Sequence, residues 1–512
     1  MGPRLIAAAA LLLLAAAAVL TSTAFDGRPS AHVVGPASPV DPGARDPGDI
    51  NANNSPTLVQ NPLRPASLVV SNRIDTPSFS CALQFSTDGG VQWTRVSVPI
   101  PRGEERKCYA PDVAFASDGI LYMSYVTLRG EGNTPHAVWI VRSFDGGRTL
   151  STPRRVLGPL AFQVRLTTDP ARPRRLYLSW LQAAGVGLYR FTAPGNPVEV
   201  TRSDDGGRTW GPPARVSDPS RGRVVAPVPA VGPNGALYVL YLDLGNDQLD
   251  YEGAHAGQGG PPYAGRFALV LGRSEDAGAS WQQSVVDNAI VPTERFIAFL
   301  PPFPALAVDH GSGRIYAAFE DARLSPSDVY LWSLSRGQRS WSAPARVNDT
   351  RPHDGTSQYL PQLAVAPNGR LDVEYYDRRG DPRNRFADVS LQSSFDGGRS
   401  FTAHVSLSGR SFDSGIGFGS ERGLPDLGSR LGLAASASAA LAAWTDTRAG
   451  TVASNKQDIG FATVTFSKPA RLSPGGRDAL RYGGIAIALL GAALMASAFA
   501  RRRSLSGARA PR

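Results

Sequence analysis

One eight-residue pattern recurs along the chain, and it restricts the possible folds more than any other feature. Its form is Ser-x-Asp-x-Gly-x-x-aromatic, and neighbouring copies begin about 57–71 residues apart, the spacing of a repeat architecture. Five clear copies are STDGGVQW (86–93), SFDGGRTL (143–150), SDDGGRTW (203–210), SEDAGASW (274–281) and SFDGGRSF (394–401), and a degraded copy is SLSRGQRSW (333–341). The chain is therefore expected to consist of similar units that pack against their neighbours.

Each copy predicts a tight turn and not a reactive site. Glycine supplies a positive φ, while the Asp carboxylate and Ser hydroxyl can accept hydrogen bonds from the amides of the turn. The final aromatic residue is expected to pack between neighbouring sheets. A structural role is therefore predicted for Ser86, Asp88, Trp93, Ser143, Asp145, Ser203, Asp205, Trp210, Ser274, Asp276, Trp281, Ser394 and Asp396.

A second repeat, of apolar runs that end in polar residues, surrounds the first. Most runs follow a short strand and a turn, so each unit predicts a four-stranded antiparallel sheet, the blade of an all-β propeller. Counting the runs favours seven blades, whereas counting the eight-residue pattern gives six. The runs are SLVVSNRID (67–75), ILYMSYVTLR (120–129), RLYLSWLQ (175–182), ALYVLYLDLGND (236–247), RIYAAFEDAR (314–323), RLDVEYYDRR (370–379) and ALAAWTDTR (440–448).

The last unit lacks an obvious fourth strand after DIGFATVTF (458–466). The segment AHVVGPA (31–37) resembles the fourth strands of other units, such as RRVLGPL (154–160). We expect it to close the ring beside the last blade, because closure removes sheet edges that would otherwise aggregate. This strand would belong to a linker over 25–55 that precedes a propeller over 56–466.

Two hydrophobic terminal segments predict the compartment. Residues 1–24 have the charge pattern and small residues of a cleavable secretory signal, with an uncleaved anchor as the alternative. Residues 483–500 carry no charge and precede Arg501, so they predict a transmembrane helix, with a buried core helix as the alternative. A linker over 467–482 and a cytoplasmic tail over 501–512 complete a single-pass cell-membrane protein with an extracellular propeller.

Cysteine, histidine and charge limit the remaining possibilities. Cys81 and Cys108 are the only cysteines, and an even pair in an exported chain predicts one disulfide, with two free thiols as the alternative. The six histidines are scattered without ligand spacing, so no metal and no cofactor is expected. The net charge of +10 is not concentrated into a basic face in the propeller, so nucleic acid is not an expected partner.

The eight-residue pattern is that of the Asp-box, or BNR repeat, and residues 56–466 resemble the sialidase-like Asp-box propellers of secreted bacterial proteins. That resemblance implies three arginines that bind a substrate carboxylate, a Tyr nucleophile paired with Glu, and an Asp acid/base. The family's first arginine lies in an Arg-Ile-Pro signature, and this chain has Arg73-Ile74-Asp75 at the corresponding place. Asp-box propellers also include proteins that only bind glycans or proteins.

The polar ends of the apolar runs are expected to meet on one face of the propeller, opposite the Asp-box turns. A ligand-binding face is therefore predicted, and sialidase chemistry on it would use some of the same residues. The face comprises Arg129, Asp243, Asp247, Arg295, Asp321, Asp354, Gln358, Tyr376, Asp377, Asp446 and Arg448. The catalytic candidates are Arg73, Arg323 and Arg378 for the carboxylate, Tyr359 (or Tyr376) as nucleophile with Glu294, and Asp75 as acid.

Three functions remain open on these observations. The favoured one is a non-catalytic module that binds an extracellular glycan or protein. The first alternative is an exo-α-sialidase or a related glycoside hydrolase, and the second is a purely structural envelope protein. Charged and aromatic groups around a channel mouth favour ligand binding, whereas an Asp-x-Arg sequence at a strand end can also be a structural ion pair.

Overall fold

A computed structural model describes most of the chain between Pro29 and Ser467, together with a short C-terminal part. Contacts divide the chain into two units, of which the larger is His32–Thr465 and the smaller combines Met1–Ala31 with Phe466–Arg512. The described residues are 11, 29–46, 48–185, 196–247, 260–298, 303–417, 426–467, 478 and 482–496.

Seven antiparallel sheets make up the larger unit, and the chain forms them one after another. Two short strands, β1 (Ala31–Val33) and β2 (Ser38–Pro39), and a 3-10 turn at Pro42–Arg45 come first. Blade 1 contains β3 (Asn53–Asn61), β4 (Arg64–Ile74), β5 (Ser80–Ser86) and β6 (Thr94–Val96). Blade 2 contains β7 (Cys108–Phe115), β8 (Leu121–Arg129), β9 (Thr134–Ser143) and β10 (Arg154–Leu157). Blade 3 contains β11 (Ala161–Asp169), β12 (Arg172–Gln182), β13 (Val198–Ser203) and β14 (Ala214–Arg215).

The next four blades repeat this order. Blade 4 contains β15 (Val224–Val231), β16 (Leu237–Asp243), β17 (Phe267–Ser274) and β18 (Gln282–Ile290). Blade 5 contains β19 (Ala305–Val308), β20 (Ile315–Asp321), β21 (Asp328–Leu334) and β22 (Ala345–Arg346). Blade 6 contains β23 (Gln358–Val365), β24 (Leu371–Asp377), β25 (Phe386–Ser394), β26 (Val405–Ser406) and β27 (Phe412–Asp413). Blade 7 contains β28 (Gly432–Ala435), β29 (Ala439–Asp446) and β30 (Asp458–Phe466), beside β1 and β2.

The first strands of the blades form a closed ring. Each contacts the first strand of the next blade, in the order β3, β7, β11, β15, β19, β23 and β28, and β28 contacts β3 again. The fold is therefore a propeller of seven four-stranded antiparallel blades, which confirms the favoured prediction and shows the six-blade alternative to be wrong. The degraded copy at 333–341 lies in a complete blade of its own, because β21 precedes it and β22 follows it.

Burial on both faces explains why the second strands are long apolar runs. In β8, eight consecutive residues are buried and only the last is exposed, so both faces of the strand are covered by neighbouring blades. Strands covered on both sides are near-continuous apolar segments and do not alternate with polar residues. The core consequently lies between adjacent sheets, as in the cluster that joins Leu176 and Trp180 of blade 3 to Ile140 of blade 2.

The N-terminal part of the chain lies along the outer strand of blade 7. The amide of Val34 donates to the carbonyl of Thr463 at 2.8 Å, and Ser38 and Pro39 of β2 pair with Phe461 and Gly460 of β30. The edge of the last sheet is thus covered by residues from the start of the propeller. The segment 31–37, expected to do this, supplies β1 and the residues that follow it.

The Asp-box segments form turns between the third and fourth strands. In the first copy, Ser86 Oγ donates to Asp88 Oδ1 at 2.7 Å, and the amide of Gly90 donates to Ser86 Oγ at 2.9 Å. Gly90 has a φ of +96°, and an added Cβ would lie 2.4 Å from the Phe461 ring, so two separate constraints favour glycine. Trp93 packs edge-on against Phe461 with ring centroids 5.4 Å apart, between blades 1 and 7.

The terminal segments are described only in part. Residues 482–496 are helical, and no helix in the described parts of the chain is long and apolar enough to cross a membrane. The predicted transmembrane helix over 483–500 is therefore not supported, and its last four residues lie outside the described residues. The predicted signal at 1–24, apart from residue 11, and the tail at 501–512 also lie outside them, as does most of the 467–482 linker.

Candidate functional site

Three of the six arginines predicted for the ligand-binding face and its catalytic site are bound to a carboxylate two residues away. Four blades carry such a pair at the end of the second strand, as Asp-x-Arg in three blades and as Arg-x-Asp in blade 1, so these sequences form structural ion pairs. The pairs are Arg73–Asp75 (2.7 Å), Arg323–Asp321 (2.5 Å), Arg379–Asp377 (2.5 Å) and Arg448–Asp446 (2.9 Å). In blade 6 the paired residue is Arg379 and not the predicted Arg378.

The other residues predicted for this face are also engaged within the protein. Arg295 forms a two-pronged contact with Asp247, with both N–O distances at 2.7 Å. Gln358 is buried and donates to Asp377 at 3.2 Å. The remaining members have local contacts: Asp243 with Arg221 (2.5 Å), Asp354 with the amide of Thr356 (2.9 Å) and the exposed Arg129 with the carbonyl of Gly103 (3.5 Å).

The three arginines predicted to hold one carboxylate lie in different blades and have different partners. Arg73 lies near the end of β4 in blade 1. Arg323 follows β20 of blade 5, and its guanidinium carbon lies 5.0 Å from the centroid of the Tyr330 ring. Arg378 follows β24 and donates to Ser414 Oγ at 2.9 Å. No contact among the described residues joins these three side chains, so the structure does not bring them together as the predicted site.

The predicted nucleophile is buried. Tyr359 lies in β23 and not in a loop, has no exposed surface, and packs on the equally buried Tyr376 with ring centroids 5.4 Å apart. The carboxylate beside it is that of Glu320, which accepts a hydrogen bond from the amide of Leu360 at 2.7 Å. The predicted partner, Glu294, is exposed, and no contact among the described residues joins it to Tyr359.

Arg73 and two arginines that the sequence did not indicate border one small cavity. Arg73 from blade 1, Arg165 from β11 of blade 3 and Arg430 just before β28 of blade 7 line it, together with Tyr109. We call Arg73, Arg165 and Arg430 the arginine cluster. The cavity holds about 10 Å³, roughly the space of one water molecule. It can admit a small polar group but not a whole sugar ring.

The three arginines of the cluster do not have equal numbers of carboxylate partners. Arg73 contacts both Asp75 (2.7 Å) and Asp426 (2.8 Å). Arg165 Nε lies 3.0 Å from Asp112 Oδ2, and Asp112 is also the carboxylate that attracts Arg430. Arg165 and Arg430 therefore depend on one carboxylate while Arg73 has two, so the three positive and three negative charges are unevenly distributed.

This imbalance changes the protonation behaviour of the cluster. Burial, reinforced by the positive charge of Arg165, lowers the pKa of Arg430 to about 9. Burial opposes ionisation of Asp112 as well, but Arg165 and Arg430 outweigh it and lower the pKa of that carboxyl. Arg430 donates to Thr57 Oγ1 at 2.7 Å and to the carbonyl of Pro111, two neutral acceptors that do not cancel its charge.

Bulges in the first strands precede Arg165 and two residues that contact the arginine cluster, Thr57 and Asp112. Five of these strands contain a non-glycine residue with a positive φ at a shift of register, and bulges of this kind re-aim the side chains that follow. These residues are Ser55, Ala110, Gln163, Ala226 and Leu360. In four of them a proline comes next, and this recurring dipeptide is the sequence signal that could have marked the positions of Thr57 and Asp112.

Two connecting segments contact each other near the arginine cluster. The amide of Leu427 donates to the carbonyl of Ala298 at 2.9 Å, and the amide of Ser429 donates to Ser55 Oγ at 2.9 Å. The segment before blade 7 is thus held both by the segment before blade 5 and by β3 of blade 1.

No family model matches the chain, and no curated protein matches it. Solved structures that resemble it include the Hadza microbial sialidase Hz136, with 16% identity, 78% of this chain and 76% of that chain covered, and a TM-score of 0.42. The NanB sialidase from Streptococcus pneumoniae has 10% identity, 67% coverage of each chain and a TM-score of 0.44. A polysaccharide lyase of family PL25, an ulvan lyase, has 11% identity, 81% and 94% coverage and a TM-score of 0.44. With TM-scores below 0.5, these likenesses carry no information on function.

Proposed function

We propose that the chain is a non-catalytic binding module for a glycan or protein ligand that presents a carboxylate to the arginine cluster. The observation that carries this proposal is that Arg165 and Arg430 share a single carboxylate, Asp112. An anion in the adjoining cavity would give Arg165 and Arg430 a second carboxylate, and guanidinium groups bind carboxylates with good geometry. The cavity has the space of about one water molecule, so it would take one carboxylate oxygen at the end of a larger ligand that stays outside.

The state of the tyrosines favours binding over catalysis. A tyrosine nucleophile needs a lowered pKa or an adjacent base. Burial instead raises the pKa of Tyr359, Tyr376 and also Tyr109, which borders the cavity. The glutamate beside Tyr359, Glu320, is fully buried, and burial raises its pKa to about 7. These groups are poorly placed to receive a substrate from solvent.

Binding to matched sugars tests the proposal. The full chain, in mild detergent, is titrated with sialyllactose and with lactose, which differ by one carboxylate-bearing sugar. We expect sialyllactose to bind at least about tenfold more tightly, and Arg430→Gln and Arg165→Gln to remove that preference, since a charge-assisted hydrogen bond contributes about 1.5–3 kcal/mol. Arg448→Gln is the control, because Arg448 is paired with Asp446 in blade 7. Equal binding of the two sugars, repeated with glucuronate- and glutamate-bearing probes, contradicts the proposal.

An exo-α-sialidase is the second candidate. It is favoured by one observation, that three guanidinium groups and the ring of Tyr109 border the same cavity, with the Arg73 guanidinium 5.3 Å from the ring centroid. Turnover of a fluorogenic sialoside between about pH 4 and 7 distinguishes it from a binding module. Activity above that of a heat-inactivated sample, lost in Tyr109→Phe, would replace the non-catalytic proposal.

We also propose that the propeller works outside the cell and is tethered by residues 483–500. The proposal is supported by the hydrophobic terminal segments and by the Cys81–Cys108 disulfide, because such bonds persist in oxidising compartments. Protease treatment of intact cells is the test. Loss of the propeller without loss of a short membrane-bound fragment supports the tether, and full protection contradicts it.

A further inference from the structure

Three carboxylates meet where the N-terminal part of the chain lies against the last blade. Asp41 and Asp49 follow β2, and Asp458 begins β30. One oxygen of each lies within 4.8 Å of the others. We call Asp41, Asp49 and Asp458 the closure carboxylates, because they lie at the contact that closes the ring.

Two of these side chains are buried with an oxygen that lacks a hydrogen-bond partner. Asp41 is 4% exposed and Asp458 is 7% exposed. Apart from the contact between these two carboxyls, no described residue donates a hydrogen bond to Asp41 Oδ2 or Asp458 Oδ1, whereas the other oxygen of Asp41 accepts one from the amide of Ile459 at 2.7 Å. An unpaired buried carboxylate oxygen is costly, so this arrangement calls for a bound positive charge.

Lys456, the cation that a described contact joins to the closure carboxylates, does not balance them. Lys456 Nζ lies 3.9 Å from Asp458 Oδ1, and it donates to the carbonyls of Gly43 (3.0 Å) and Asp46 (2.9 Å). Asp446, opposite Asp458 in the sheet, is paired with Arg448. Three carboxylates against one ammonium group leave two negative charges, the charge that a divalent cation would neutralise.

We propose that the closure carboxylates bind one calcium ion, which fastens the N-terminal segment to blade 7. Calcium prefers oxygen ligands, accepts six to eight of them, and tolerates irregular geometry. The closure carboxylates supply three anionic ligands, and Asp49, which is half-buried, leaves an opening through which water can complete the coordination. Magnesium demands a stricter octahedron and holds its water more tightly, so it should bind more weakly.

A shared proton between Asp41 and Asp458 is the competing explanation. Burial, with the negative charge of Asp41, raises the pKa of Asp458 to about 8. A group whose pKa is raised by folding stabilises the native state below its unfolded pKa and loses that effect as the pH rises through its folded pKa. Without a metal, stability should therefore fall between about pH 4 and 8. With calcium, binding should instead strengthen over that range as protons leave the ligands.

Calcium titration of the full chain distinguishes the two. The protein is freed of metal with EDTA, purified in mild detergent at pH 8, and titrated by calorimetry with calcium chloride and with magnesium chloride. We expect one calcium per chain, and an increase of about 3 °C in the unfolding midpoint at calcium one hundred times its Kd. Asp458→Asn should abolish both effects, whereas Asp118→Asn, in an exposed turn, should retain them.

Several outcomes would overturn the proposal. No calcium binding to the wild-type chain at pH 8 does so, and this measurement does not depend on any variant folding. Calcium binding that persists in Asp458→Asn places the ion elsewhere and also contradicts it. A midpoint that falls with rising pH and does not respond to EDTA or calcium identifies the shared proton.

Discussion

Two buried glutamates in neighbouring blades differ in whether their carboxylate oxygens have hydrogen-bond donors. Glu320 accepts hydrogen bonds from the amide of Leu360 (2.7 Å) and from Thr293 Oγ1 (3.0 Å). Glu374, in β24, is fully buried, and neither of its carboxylate oxygens has a partner among the described residues. Burial raises the pKa of Glu374 well above its usual value, so this side chain is held in its neutral form.

Replacing Glu374 with leucine should stabilise the protein at alkaline pH. The raised native pKa means that the wild type is most stable below the unfolded pKa, near 4.3, and loses stability as the pH rises above it. We expect Glu374→Leu to remove this loss and to raise the free energy of unfolding at pH 8 by about 1–3 kcal/mol. Urea unfolding of the wild type and of Glu374→Leu at pH 5 and pH 8 measures this difference in the free energy of unfolding.

Glu320→Leu is the matched control for that substitution. It should destabilise the protein at both pH values, because it leaves the amide of Leu360 and the hydroxyl of Thr293 without their acceptor. If the two variants lose stability equally, the unpaired carboxyl of Glu374 is not the cause of the pH dependence.

At the scale of the element, the Asp-box turn depends on one carboxylate that caps several amides. Asp205 accepts hydrogen bonds from the amides of Arg208 and Thr209, both at 2.9 Å, and from Thr209 Oγ1 at 2.6 Å. Its slight burial opposes ionisation, but these bonds and that from Ser203 outweigh it and lower the pKa of Asp205 to about 2. The carboxylate is therefore charged throughout the physiological range.

Removing that cap should weaken the turn by a modest amount. We expect Asp205→Ala to lower the free energy of unfolding by about 1 kcal/mol, similar to the loss of a helix cap. Asp204→Ala, next to it, removes surface ion pairs with Arg175 and Arg202 and should cost less than about 0.5 kcal/mol. Thermal unfolding of both variants is the measurement. Equal losses of unfolding free energy would contradict a stabilising role for the Asp205 cap.

Local features could be predicted from the sequence, whereas contacts between distant segments could not. The turn at Asp205 follows from residues within eight positions, and the continuous apolar run of β8 predicts burial on both faces of the strand. The arginine cluster is different, since Arg165 and Arg430 belong to neither sequence repeat and come together only where blades 3 and 7 border the same small cavity. The Asp-x-Arg sequences led to a wrong prediction for the same reason. The sequence is the same whether the arginine binds a ligand or the aspartate two residues away.

At the scale of the whole molecule, the disulfide joins two blades. Cys81 lies in β5 of blade 1 and Cys108 in β7 of blade 2, with a sequence separation of 27 residues. Closing a loop of this length should restrict the unfolded chain by about 3–4 kcal/mol. The double variant Cys81→Ser/Cys108→Ser should lose that amount in guanidinium unfolding, and reduced wild type should match it. A variant as stable as the oxidised wild type would contradict this.

The closed ring also has a consequence for biosynthesis. Residues 34–39 are among the first of the propeller to leave the ribosome, yet their partners at 460–463 are among the last. Blade 7 therefore cannot be completed before β30 has been made, although blades 1–6 consist of consecutive strands and need no later segment. The ring of a nascent chain of this design stays open until its final strand has left the ribosome.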